Sequence, residues 1–276
     1  MDTSDNMDKT NDLPLDSSPT MVDENQNNFF SEVEENREKS FFKNSYKVLA
    51  RKYRPQNFED LMGQEIMVQT LKNAFKTNRI AHAYILTGVR GIGKTTTARL
   101  LARSLNYETE TVNEPNIDMP EIGKHCQEIM ESRHIDVIEM DAASRTGIAD
   151  IREIIDSVNY SPSSARYKIY IIDEVHMLSK AAFNGLLKTL EEPPSHVKFI
   201  FATTEVQKIP LTILSRCQRF DLKRFDHDMI KLLINNVCEK EMISIEDPII
   251  DLIAKASGGS ARDSLSLLDQ AMALSN

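Results

Sequence analysis

At 276 residues the chain has room for about two domains, and its 41% hydrophobic and 27% charged content is ordinary for a globular protein with a sizeable core. It has no run of about 18 apolar residues and no basic-then-apolar start, which argues against a membrane span or secretion signal. Three widely spaced cysteines (Cys126, Cys217, Cys238) argue against a disulfide framework, so the expected location is cytoplasmic. The net charge of −9 is concentrated: residues 1–40 carry −8, leaving −1 for the other 236. That excludes a generally basic nucleic-acid-coating protein and makes any DNA contact local.

Residues 1–44 are rich in Asp, Asn, Ser and Glu without a sustained apolar period, and read as a disordered acidic tail. The folded part begins near Tyr46. Pro55 and Gly63 bracket an irregular segment, after which Ile66 to Phe75 reads as a helix. The apolar run Ala83 to Leu86 is a buried strand. It leads into Gly88-Val89-Arg90-Gly91-Ile92-Gly93-Lys94-Thr95, which fits G-x-x-x-x-G-K-[ST]. The following stretch, Thr96 to Leu105, has helical spacing in Ala98, Leu101, Ala102 and Leu105. Strand, glycine loop and helix together form an anion cradle, with backbone N–H groups and the helix N-terminus facing phosphate. Lys94 would reach the terminal phosphates and Thr95 would offer its hydroxyl to Mg²⁺, so a nucleoside triphosphate is the expected ligand.

Residues 106–125 lose periodicity and contain Pro115, Pro120 and Gly123, as in an insertion or long loop. Cys126 to Ser132 is again helical, Val137 to Met140 is a second strand, and Ile148 to Val158 is a helix. A third strand, Tyr167 to Ile172, runs into Asp173-Glu174-Val175-His176. Asp173 there would hold Mg²⁺, directly or through water, and Glu174 would polarise the attacking water. Ser179 to Leu190 is a helix stopped by Glu191-Glu192-Pro193-Pro194. Phe199 to Ala202 is a fourth strand, ending at Thr203-Thr204, where a hydroxyl could bond the water or γ-phosphate. The strand signal stops after Phe220, and 226–242, 247–256 and 260–274 read as three helices. Alternating strands and helices predict an α/β fold with a parallel sheet flanked by helices, followed by a small helical module.

Two further stretches, Ile213-Leu214-Ser215-Arg216-Cys217 and Gly258-Gly259-Ser260-Ala261-Arg262-Asp263, complete a pattern. The Ser-Arg-Cys triplet resembles the clamp-loader branch of AAA+ P-loop ATPases. Tyr46–Gln64, Asp141–Thr146, Asp173–Pro194 and Thr203–Arg216 resemble the bacterial gamma/tau family of DNA polymerase III subunits. The resemblance covers about residues 45–275. It implies an ATP- and Mg²⁺-using motor with a nucleotide-binding domain at 45–222 and a three-helix lid at 223–276. Thr204 is similar to the sensor-1 residue, with Thr203 the alternative. Arg262 is similar to the sensor-2 arginine, and Arg216 to an arginine finger acting on a neighbouring subunit's nucleotide. The backbone around Pro55 and Gly63 is similar to the segment enclosing the base, and Thr96 completes the phosphate loop. Arg145 resembles a position facing DNA. The implied partners are delta and delta-prime subunits, other gamma/tau copies, the beta sliding clamp and primed DNA, with no membrane.

The family pattern includes a four-cysteine zinc module of which this sequence keeps only Cys126, so 106–125 is expected to pack without zinc or to be mobile. The family's collar domain would follow Asn276, so the chain is expected to be a fragment or a shortened product. Two other readings keep the same residues: a non-catalytic interaction remnant, and another AAA+ DNA-transaction ATPase such as a branch-migration motor.

Overall fold

The computed structural model describes residues 46–145 and 147–274; the acidic tail reading at 1–44 falls outside them. Five parallel strands form one sheet: β1 (Ala83–Thr87), β2 (Val137–Asp141), β3 (Lys168–Asp173), β4 (Val197–Thr203) and β5 (Gln218–Asp221), in the order β2-β3-β4-β1-β5. The three central strands are almost wholly buried, which is why their sequences are continuous apolar runs rather than alternating ones. Successive side chains nevertheless go to opposite faces. Tyr84, Leu86, Ile169, Ile171 and Ile200 pack into one core, whereas Ile85, Tyr170, Ile172, Phe199 and Phe201 pack into the other.

Helix α1 (Leu49–Lys52) and helix α2 (Glu65–Lys76) precede β1. Helix α3 (Lys94–Leu105) leaves the glycine loop and covers the first face with Ala98, Leu101 and Leu105. Short helix α4 (Cys126–Met130) leads to β2. Helices α5 (Ile148–Val158) and α6 (Lys180–Glu191) cover the second face through Ile151, Ile154, Val158, Phe183 and Leu186. Ser179 caps α6, its hydroxyl accepting the Ala182 N–H at 3.2 Å. Beyond β4 come α7 (Leu211–Leu214) and β5. The helical module follows as α8 (His227–Glu241), α9 (Asp247–Ala256) and α10 (Ala261–Leu274).

Two differences from the sequence reading have physical causes. Strand β5 is a fifth strand beyond the four that apolar runs define: Gln218-Arg219-Phe220-Asp221 buries only Phe220 and, among the described residues, pairs with β1 alone at the sheet edge. Helix α1, grouped by sequence with the sheet at 45–222, packs instead on the helical module. Leu49 is buried among Ile230, Ile234, Ile253 and Leu268, its N–H donates to Asp269 Oδ2 at 2.8 Å, and the Tyr53 hydroxyl donates to Glu241 Oε1 at 2.6 Å. A four-residue helix is too short to show its packing face by periodicity.

Residues 106–125 contain no helix or strand, as their composition suggested, yet they are anchored. Tyr107, Ile117 and Met119 are buried in the α3 core, and Arg166 donates to the carbonyls of Leu105 and Tyr107 at 2.7 and 3.2 Å. His125 and His134, both buried, meet through Nδ1 and Nε2 at 2.9 Å. The Cys126 sulfur accepts the Gly123 N–H at 3.2 Å. Among the described residues no group of three or more His, Cys, Asp and Glu side chains is placed to hold a metal ion, and no helix is long and apolar enough to cross a membrane.

Candidate nucleotide site

The parallel register aligns polar strand ends at one edge of the sheet. Thr87 lies beside Thr203 and Asp221, and Asp141 beside Asp173. Crevices at the carboxyl ends of such strands are where ligands bind in open α/β sheets. The glycine loop closes over this edge. Gly88, Gly91 and Gly93 have φ of 145°, 79° and 102°, positive values that residues with a Cβ rarely adopt. An ideal Cβ on Gly93 would meet nothing within 4 Å, so the N-terminus of α3 opens onto free space. Ile92 is buried and pins the loop, whereas Val89 and Arg90 are exposed; Thr96 is buried in the first turn of α3.

Lys94 is only 6% exposed, and its ammonium donates to the carbonyls of Gly88 and Val89 at 3.0 and 3.1 Å. Burial pushes its pKa below the usual lysine range, against the opposing pull of Glu174 and then Asp173. The Thr95 hydroxyl donates to Asp173 Oδ2, bringing together two hard oxygen groups suited to Mg²⁺. Glu174 follows at the same strand end, with Oε1 4.0 Å from the Lys94 ammonium. Its Oε2 accepts both the N–H and the hydroxyl of Thr204, at 3.1 and 2.9 Å. Thr203, the alternative at that strand end, is fully buried with its hydroxyl turned to His176. These residues fit a magnesium–triphosphate: an open helix N-terminus, a buried ammonium, an oxygen pair and a further carboxylate within one crevice.

The helical module touches the same loop. The Arg262 N–H donates to the Gly91 carbonyl at 3.2 Å, and the Arg262 side chain is exposed. Gly63, at φ 73°, lies against α8, since a Cβ there would be 2.5 Å from Met229 Cε. Beside it the buried Gln64 amide both donates to the Lys223 carbonyl and accepts its N–H, each at 3.1 Å. Pro55, half-buried, lies in the irregular segment after α1.

Other residues singled out by sequence are not gathered here. Arg216 is exposed on the surface, donating to Glu191 Oε1 and the Thr212 carbonyl at 2.6 Å each. Arg145, also exposed, lines a shallow cavity with Asp150, Glu153 and Tyr170.

Two neighbours of the site were not singled out by sequence. Arg54 is half-buried, and burial together with Arg99 lowers its pKa against the pull of Glu139, with Arg262 and Arg51 adding to the lowering. Only its nearness in sequence to Pro55 hinted at this place. His176 lies against Glu174, and its position three residues after Asp173 was the available signal.

Comparison with known proteins agrees with this architecture. The model for "DNA polymerase III, delta subunit" matches residues 63–226, and that for "DNA polymerase III clamp loader subunit, ATPase lid domain" matches 229–276. DNA polymerase III subunit tau of Escherichia coli is 51% identical over 229 residues, covering 83% of this chain and 35% of the relative. Subunit tau of Bacillus subtilis is 50% identical, covering 84% and 40%. Subunit gamma of Buchnera aphidicola (from Schizaphis graminum) is 47% identical, covering 84% and 62%. The chain thus spans about a third of the length of its E. coli relative. The RuvB Holliday junction branch migration motor of Thermotoga maritima shares the fold at a TM-score of 0.55 and 21% identity, covering 78% of this chain and 63% of that one. With an AAA+ sheet, a phosphate loop and a matched ATPase lid in one chain, this protein belongs to the DNA polymerase III clamp-loader subunits of the gamma/tau family.

Proposed function

We propose that this chain is an ATP-hydrolysing motor subunit of the DNA polymerase III clamp loader, using ATP to open the beta sliding clamp and load it onto primed DNA. The observation that carries the reading is the convergence of Lys94, Thr95, Asp173, Glu174 and Thr204 on one crevice at the sheet edge. Family membership supports a clamp-loader role and an ATPase; the rest is inference from residues.

Thr95 and Asp173 would hold Mg²⁺, which when bound supplies charge neutralisation at the phosphoryl oxygens. Gly88 to Thr96 cradle the triphosphate with backbone N–H groups, and Lys94 bears on its terminal phosphates. Backbone near Pro55 and Gly63 encloses the base. Glu174 orients and polarises a water for attack on the γ-phosphorus; the new O–P bond replaces the bond to the bridging oxygen of ADP. Thr204 acts as sensor 1 beside it. Arg262 couples nucleotide to the lid, for which we propose residues 223–276 together with α1. Arg216 serves a neighbouring subunit's nucleotide, and must leave Glu191 to do so. A finger supplied in trans stabilises charge only in an assembled ring, so hydrolysis is gated by assembly. Arg145 contributes a phosphate contact to DNA. The partners are delta, delta-prime, further gamma/tau copies and the clamp, within a DNA polymerase holoenzyme.

The test is steady-state ATP hydrolysis by the chain alone and with delta, delta-prime, clamp and primed DNA, beside Lys94→Ala and Arg216→Ala. Stimulation by the mixture, lost in both variants, is expected. A flat, low rate despite measurable ATP binding would refute the motor reading and favour an interaction role.

A further inference from the structure

His176 belongs to the same turn as Glu174. Glu174 adopts φ 47° and ψ 44°, left-handed backbone that is uncommon for a residue with a Cβ, and its carbonyl accepts the Met177 N–H at 2.9 Å. This folds the single 3₁₀ turn Val175–Met177 back on the strand end, so that the His176 side chain, 5% exposed, lies against the Glu174 carboxylate. Nδ1 is 3.3 Å from Glu174 Oε2 and 3.0 Å from the Thr203 hydroxyl oxygen. Nε2 is 3.3 Å from Glu205 Oε1, which Lys208 also holds at 2.8 Å. The Glu205 N–H donates to the Thr203 hydroxyl at 3.0 Å, closing the cluster.

We propose that His176 is a positioning residue for Glu174. It fixes the carboxylate against the end of β4 and ties it to the Glu205–Lys208 turn. The inference rests on the reading of Glu174 as the group that polarises the attacking water. Left-handed backbone at a residue with a Cβ persists where its surroundings over-determine it, and such residues cluster at functional sites. Here three contacts converge on Oε2, two from Thr204 and one from His176, leaving Oε1 facing Lys94. Without the imidazole, a filler of the space between β3 and the Glu205 turn is lost, and the carboxylate gains rotational freedom.

The same ring contacts a turn that continues toward Arg216 in the chain. The Glu205–Lys208 turn runs through Ile209-Pro210 into α7 and thence to Arg216.

The test is steady-state hydrolysis at saturating Mg-ATP by this chain mixed with delta, delta-prime, clamp and primed DNA, with the Kd of a fluorescent ATP analogue for the chain measured in parallel and thermal melts as a check of folding. The variants are His176→Ala, His176→Asn and His176→Gln, with Glu174→Gln as the floor. An asparagine amide can stand where Nδ1 does, facing Glu174 and Thr203; a glutamine amide reaches toward the place of Nε2. His176→Ala is expected to lower the rate about tenfold with Kd changed by less than about twofold, because displacing a catalytic group costs turnover rather than binding. His176→Asn should recover most of that loss, and His176→Gln should not. Equal rates for His176→Asn and His176→Gln, or a wild-type rate for His176→Ala, would overturn the proposal while leaving the role of Glu174 intact. If His176→Ala does not fold, the asparagine and glutamine pair decides. A Glu174→Gln rate equal to wild type would remove the base itself, and the proposal with it.

Discussion

The contact between lid and phosphate loop can be tested without nucleotide, through Gly91→Ala. Gly91 has φ 79°, and a Cβ there would lie 2.0 Å from Ser260 Oγ and 3.3 Å from Arg262 Cβ. The substitution carries a backbone cost of about 1 kcal/mol for left-handed φ. To clear the new methyl, the Ser260 hydroxyl must turn away from the Asp263 N–H that it accepts at 3.2 Å, removing the N-terminal cap of α10 at a further cost of about 1 kcal/mol. If α10 also draws back, the Arg262 N–H bond to the Gly91 carbonyl adds about 1 kcal/mol. The expected destabilisation is about 2–3 kcal/mol, read from urea unfolding of the nucleotide-free chain. Ser260→Gly removes both the obstructing atom and the cap in advance, so Gly91→Ala in that background should cost only its backbone term of about 1 kcal/mol. The cycle should therefore show coupling of about 1–2 kcal/mol. Additive effects within about 0.5 kcal/mol would refute the claim that the lid rests on the loop through this contact.

Two titratable groups far from the site give predictions with opposite pH signatures. Asp136 is buried, and its carboxylate accepts the N–H groups of Ser163, Ser164 and Ala165 and the Ser164 hydroxyl, at 2.7 to 3.1 Å. Burial alone would raise its pKa, but these bonds outweigh it and hold the carboxyl below its ordinary value. Its stabilisation is thus present above the unfolded carboxylate range and lost as pH falls through the folded value. Asp136→Asn should cost about 2–3 kcal/mol at pH 7, with the gap from wild type closing below about pH 4 in urea melts. A gap unchanged into that acid range would refute the assignment. Lys198 is 3% exposed, lies over the Tyr167 ring at 5.0 Å, and is pushed by burial from 10.5 down to about 8. Between those values the unfolded chain binds more protons, so wild-type stability should gain a contribution as pH rises from about 8 toward 10. Lys198→Met should remove that rise and be more stable at pH 7 by about 2 kcal/mol. Identical pH profiles for variant and wild type would show that the amine is not desolvated.

How much of this could be read in advance depended on how far apart in the chain the interacting groups lie. The phosphate loop and the Asp173-Glu174 strand end are local patterns: each needs a buried strand followed within a few residues by a turn, and apolar runs reveal that. The fold followed from the same runs, because strands of a parallel sheet buried on both faces cannot hide their composition. What escaped depends on distant partners. Leu49 is apolar in either module, and only distant partners, among them Asp269, which accepts its N–H from 220 residues onward, say which one it joins. Asp136 reads as a loop aspartate until three successive N–H groups from 163–165 arrive around it.

His176 is the instructive case, since it was in plain view beside the motif. Periodicity offers nothing for a single 3₁₀ turn, and a left-handed glutamate is invisible to any pattern that reserves positive φ for glycine. Residue types at a strand end announce which chemistry is available, but the orientation of a carboxylate is decided by whichever neighbouring strand ends beside it. Here that neighbour is β4, thirty residues onward, whose last residue Thr203 and the next, Thr204, divide the work of holding His176 and Glu174. Exchanging the two hydroxyls' surroundings would keep every motif letter and still move the base. Strand register, more than the motif itself, therefore sets where Glu174 points.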